Sequence, residues 1–160
     1  MSRPPDSEPP LPPYAYVPGR HPHPGDGHVA GLDGRPAAAV RTHAADLFDR
    51  GYYWEAHEAW EGLWRGLKRD SPAERLYRGL IALAAAGVKA REGSAAGCGH
   101  HAGRARDLFR ALAAGHAAVE HASPERLAAF AEAIAADPPE RPAAPGAPPE
   151  VVFPAALPRG

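Results

Sequence analysis

Proline placement constrains this chain more than any other feature. Of its 20 prolines, ten lie between Pro4 and Pro36 and eight between Pro138 and Pro158, leaving only Pro72 and Pro124 in the stretch between. Proline lacks a backbone donor and clashes with the preceding helical turn, so long helices are confined to that middle stretch. The expected organisation is a helical domain over residues 36–137, a disordered Pro/Gly-rich arm over 1–35 and a Pro-rich tail over 138–160. The tail differs from the arm in carrying Val151, Val152, Phe153 and Leu157, a cluster able to dock back on the domain through 151–157 or to hold a partner.

Helix punctuation inside the middle stretch is clear. Pro36 opens AAAVRTHAADLFDR, whose Val40, Leu47 and Phe48 share a face, and Gly51 closes it. A second helix is expected from Tyr52 to Leu67. Ser71-Pro72-Ala73-Glu74 combines a cap residue, proline at the first helical position and a glutamate three residues after the cap, which starts a third helix running to Glu92 before Gly93. A fourth is expected from about Gly99 to Ala118, and Ser123-Pro124 starts a fifth that ends at Asp137-Pro138. No segment is rich in β-branched residues with a period of two. The fold class is therefore all-α, a compact bundle of about five roughly antiparallel helices. The third, apolar on much of its circumference, belongs at the centre.

Charge and cysteine content narrow the function classes. The net charge is −1, and residues 37–136 hold thirteen basic against twelve acidic residues, so no concentrated basic face invites nucleic acid. The longest apolar run, Leu80 to Val88, is too short to cross a bilayer. One cysteine, Cys98, can form neither an internal disulfide nor a zinc-spaced pair, which fits a cytoplasmic protein. His21, His23 and His28 in the arm are read as solvated.

The chemistry concentrates in the second helix, YYWEAHEAWEGLWRGL. His57 and Glu61 share a face by their i, i+4 spacing, and Trp64, Tyr53 and Trp60 fall within roughly 60° of His57 on a helical projection. A carboxylate and an imidazole beside indole rings need partners, because an isolated buried charge is costly. Arg78 and Lys89 on the third helix and His101 on the fourth are candidates. The expected site is a polar pocket walled by Trp60 and Trp64, where Glu58 or Glu61 meets Lys89 or Arg78 and His57 meets a carboxylate or His101. Glu55 stands in the first helical turn, where the macrodipole favours a carboxylate. HEAWE invites comparison with the HExxH zinc helix, but Glu61 replaces the second imidazole. The leading reading is a binding or scaffold module whose site, comprising Glu55, His57, Glu58, Glu61, Trp64, Arg78, Lys89 and His101, recognises a small ligand or protein segment. The alternative is a metal-dependent hydrolase with His57 and Glu61 as ligands and Glu58 as general base. No cofactor is specified. The same residues also suit a purely structural role, with Glu61 and Arg65 as an i, i+4 pair.

These strings carry a resemblance. DLFDRGYYWEAHEAWEGLWRG, RLYRGLIALAAAGVKAREG and HAGRARDLFRAL resemble the domain of unknown function 309 family, small all-helical bacterial and archaeal proteins without an assigned activity. Phe48, Gly51, Tyr53, Trp54, Glu55, His57, Glu58, Glu61 and Trp64 follow the family's E-x-H-E-x-x-E-x-x-W helix, and Gly79, Leu80, Ile81, Ala84, Ala85 and Lys89 follow its second part. Ala82 stands where that pattern has glutamine. The resemblance implies the helical fold and no particular activity.

Overall fold

The computed structural model describes residues 7–25, 29, 31–116, 119 and 121–160. Among them are five helices and no strand: α1 (Ala37–Asp49), α2 (Tyr53–Trp64), α3 (Pro72–Glu92), α4 (Ala95–Ala114) and α5 (Pro124–Ala136). Each packs on its sequence neighbours, most extensively α3 on α4 and α4 on α5, as short connections favour. The expected all-α bundle is thus present, and no described helix is long and apolar enough to cross a membrane.

The two serine–proline starts behave as their chemistry requires. Ser71 Oγ accepts the Glu74 N–H at 3.3 Å, Ser123 Oγ accepts the Arg126 N–H at 3.4 Å, and a proline opens each helix. The boundary that moves is the start of α4, which begins at Ala95 rather than near Gly99. Gly93, at φ 87°, ends α3, and Ser94 Oγ then caps the Gly97 N–H at 3.0 Å, so only Gly93 and Ser94 separate the two helices. Glycine at 97 marks a close approach rather than a turn: a Cβ there would sit 3.0 Å from Lys89 Cδ. Cys98 consequently lies inside α4 and is fully buried. At the other end α4 closes at Ala114; Ala118 lies outside the described residues. The second helix also stops short of Leu67, at Trp64.

Trp60, Phe48, Phe109, Leu47 and Leu83 form the driest part of the core. α3 is central because two of its glycines let aromatic rings lie on its backbone. A Cβ at Gly79 would fall 2.5 Å from Phe109 Cε1 on α4, and one at Gly87 would overlap the ring of Tyr53 on α2.

Both terminal segments are seated on this bundle over their described residues. Ala15, Tyr16 and Val17 are buried, as are Phe153 and Leu157. The last turn of α3 leaves carbonyls without helical partners. Ala90 O accepts the Arg141 N–H at 3.0 Å and Arg91 O accepts the Ala143 N–H at 2.8 Å, while Glu92 O accepts Arg20 Nη2 at 3.4 Å. Arg20 Nε reaches the tail as well, donating to Ala143 O at 3.0 Å. Phe153 inserts among Phe48, Tyr53 and Phe130, with the Val152 N–H donating to the Tyr53 hydroxyl at 3.0 Å. Residues 1–6, 26–28 and 30 of the expected arm lie outside the described residues. Proline narrows the unfolded ensemble, so an extended segment can be ordered by a few side-chain anchors and carbonyl contacts.

Candidate functional site

α2 gathers three of the expected residues at one point. His57 Nδ1 lies 3.4 Å from Glu58 Oε1 and 3.5 Å from Glu61 Oε2. One possible donor atom from each residue falls within 4.8 Å of the others, close enough that the three could hold a metal ion. The Nδ1 atom itself is closed to solvent and has no hydrogen bond. The side chains remain partly open, with His57 28% and Glu61 27% exposed, so the cluster has a way in. Glu61 Oε1 accepts from Arg65 Nη2 at 3.1 Å, the i, i+4 pair that the sequence offers.

His101 on α4 also has a buried Nδ1 without a hydrogen bond. Burial lowers its proton affinity, and the charges of His100, Arg104, Lys89 and His57 act in the same direction. His101 is therefore held neutral on the side of the bundle that His57 and Lys89 influence.

The remaining expected members take other partners. Where Lys89 or Arg78 was expected to meet Glu58 or Glu61, Arg78 donates to Glu74 Oε2 at 3.1 Å and to Asp70 Oδ1 at 3.4 Å, and Lys89 pairs with Glu92 at 3.2 Å. The reason is local: Glu74 and Glu92 lie four and three residues away on the same helix, within easier reach than a carboxylate across the bundle. Trp64 donates its indole N–H to Glu74 Oε1 at 3.2 Å, whereas Trp60 is buried against Phe48. Glu55 is buried and accepts the Tyr16 N–H at 3.0 Å; its Oε1 has no partner. Burial raises the Glu55 carboxyl to about 7, with the charge of Glu58 adding to the effect against the opposing Tyr16 hydrogen bond. Ala82 is buried in the core, so the departure from the glutamine of the family pattern leaves a packed methyl there.

Two participants were missed from sequence. Glu74 is recognisable as the glutamate of a capping box, yet its carboxylate leaves the cap to join Trp64 and Arg78. Tyr16 carries no sequence signal for its backbone contact with Glu55, 39 residues away. Among the other histidines, His21 bridges the Val17 N–H at 3.2 Å and Ala147 O at 2.9 Å, and His23 packs on Trp54; His28 lies outside the described residues. The buried Cys98 thiol is pushed up to about 11 by burial, which makes it a poor nucleophile.

No curated protein and no solved structure matches this chain. Over residues 42–101, which include α2, α3 and the whole His57–Glu58–Glu61 cluster, the chain matches the family model described as a domain of unknown function, DUF309, the family that its E-x-H-E-x-x-E-x-x-W helix resembles.

Proposed function

We propose that the chain is a small cytoplasmic binding module and that the ligand taken on α2 is a divalent first-row metal ion, with His57, Glu58 and Glu61 as donors. The observation that carries this reading is the solvent-shielded Nδ1 of His57, which faces two carboxylate oxygens and has no hydrogen bond. A cation among the three atoms would use the nitrogen lone pair and balance both acids. One imidazole with two carboxylates suits zinc, manganese or ferrous ions better than an all-oxygen donor set would. Three protein donors leave coordination positions for water or a small ligand. Binding is preferred over the hydrolase reading because Glu58 stands close enough to serve as a third ligand, which takes it from the role of general base. The buried, single cysteine supports the cytoplasmic assignment.

The test uses untagged protein stripped with a chelator and titrated calorimetrically with Zn²⁺ and Mn²⁺. One equivalent should bind and raise the melting temperature, since a ligand that binds only the folded state stabilises it. Glu61→Gln should weaken binding by about tenfold or more, and His57→Ala should remove it. Replacing His21 and His23 should change nothing. A folded wild type that takes up neither ion, or a His57→Ala protein that takes up as much, overturns the proposal and leaves the cluster a register-fixing feature of α2.

A further inference from the structure

A separate cavity of about 750 Å³ lies between α1, α3, α5 and the last residues of the tail, with Trp60 of α2 at its base. Its size is that of a site for a small organic molecule. Trp60, Leu76, Leu80 and Leu127 make its floor, and each is at most 6% exposed. This floor offers almost nothing to a sugar or a base, whose polar edges would go unpaired. Two guanidinium groups line the walls, and they differ. Arg159 is neutralised by Asp46 at 3.0 Å and Asp49 at 2.7 Å. Arg41 is half-buried and makes no hydrogen bond or ion pair with any described residue. An apolar chamber whose wall carries Arg41, a cation without a partner among the described residues, is complementary to a ligand with an apolar body and a single anionic head.

We infer that this cavity binds a small amphipathic carboxylate, with its acyl or aryl body on the Trp60–Leu80 floor and its head on the Arg41 guanidinium. Guanidinium and carboxylate form paired hydrogen bonds, and the partly desolvated setting strengthens them relative to water. The apolar body supplies most of the affinity, because each methylene moved from water onto the floor strengthens binding by several-fold. The inference is independent of the metal assignment, since none of the cavity's lining residues belongs to the His57 cluster.

The test uses the full chain and three probes below any micelle-forming concentration: decanoate, decan-1-ol and acetate, followed by calorimetry and by the tryptophan fluorescence that Trp60 should report. Decanoate should bind one to one, decan-1-ol about tenfold more weakly, and acetate not measurably. Arg41→Met should weaken decanoate by about tenfold and leave decan-1-ol unchanged. Thr42→Trp, at an exposed position on the cavity wall, should block both long-chain probes without touching the core. His57→Ala should leave decanoate binding intact. Failure of decanoate to bind the folded wild type, or equal affinity in Arg41→Met with an unchanged melting temperature, overturns the inference.

Discussion

Replacing Glu55 by glutamine should change how stability depends on pH more than it changes stability itself. The carboxyl is 4% exposed, accepts one hydrogen bond from the Tyr16 N–H, and leaves Oε1 without a partner. Burial raises it from 4.5 to about 7. Below 4.5 the folded and unfolded states are both protonated and the carboxyl imposes no linked penalty. Between 4.5 and 7 the unfolded chain releases the proton while the folded chain holds it, so stability falls as pH rises. Above 7 both are ionised and the loss is complete. At ~1.4 kcal/mol per unit, that interval corresponds to at most about 3 kcal/mol. Glu55→Gln keeps an oxygen for the Tyr16 N–H and removes the titration. Its amide adds a pH-independent cost of about 1–2 kcal/mol for a buried group without a partner. Urea denaturation of both proteins at intervals from pH 4.5 to 8.5 gives the comparison, because the other acids and histidines contribute to both curves. The difference should move steadily in favour of the variant, by about 2–3 kcal/mol, with most of the change complete near pH 7. Parallel curves would refute the reasoning, and a wild type that gains on the variant as pH rises would reverse its sign.

Four further substitutions test the packing and one buried ion pair. Gly87→Ala places a methyl in the Tyr53 ring and should cost about 1–3 kcal/mol in chemical denaturation, whereas Gly62→Ala, in α2 with nothing within 4 Å, should stabilise by about 0.5–1 kcal/mol. Glu150→Gln removes the charge facing the buried Arg91 guanidinium, 3.0 Å away, and should cost about 1–3 kcal/mol while leaving the Arg91 bond to Arg141 O. Phe153→Ala empties a slot lined by Phe48, Tyr53 and Phe130 and should cost about 3 kcal/mol or more, with faster proteolysis of the tail. A cost under about 0.5 kcal/mol for Phe153→Ala would mean that the tail adds little to the bundle.

The helices were legible because caps and breakers act locally. Ser71-Pro72 and Ser123-Pro124 set two helix starts, and Gly51 and Gly93 each follow a helix end. The start of α4 was obscured because glycine has two uses, and only the neighbouring Lys89 stem distinguishes a close approach from a turn. The His57–Glu58–Glu61 cluster was readable for a similar reason, since one helix carries all three residues. Its partners were not, because cations choose the nearest acid: Lys89 takes Glu92 and Arg78 takes Glu74. Arg91 left a trace that went unread. It follows Leu80, Ala84 and Gly87 along one line of α3, returning within about 20° of Leu80, so a charge there had to be buried and paired. Its partner, Glu150, lies 59 residues away in a proline-rich stretch with no helical pattern to place it.

The clasp at the end of α3 bears on when this molecule can finish folding. Arg20 is joined to Ala143 across 123 residues, and the aromatic slot is filled by Phe153, which follows α5 in sequence. A nascent bundle that has emerged only as far as α5 would leave the Arg91 carbonyl unclaimed and the Phe48, Tyr53 and Phe130 rings without Phe153. Such an intermediate would be stickier than the folded protein until the stretch that carries Ala143 and Phe153 has followed α5.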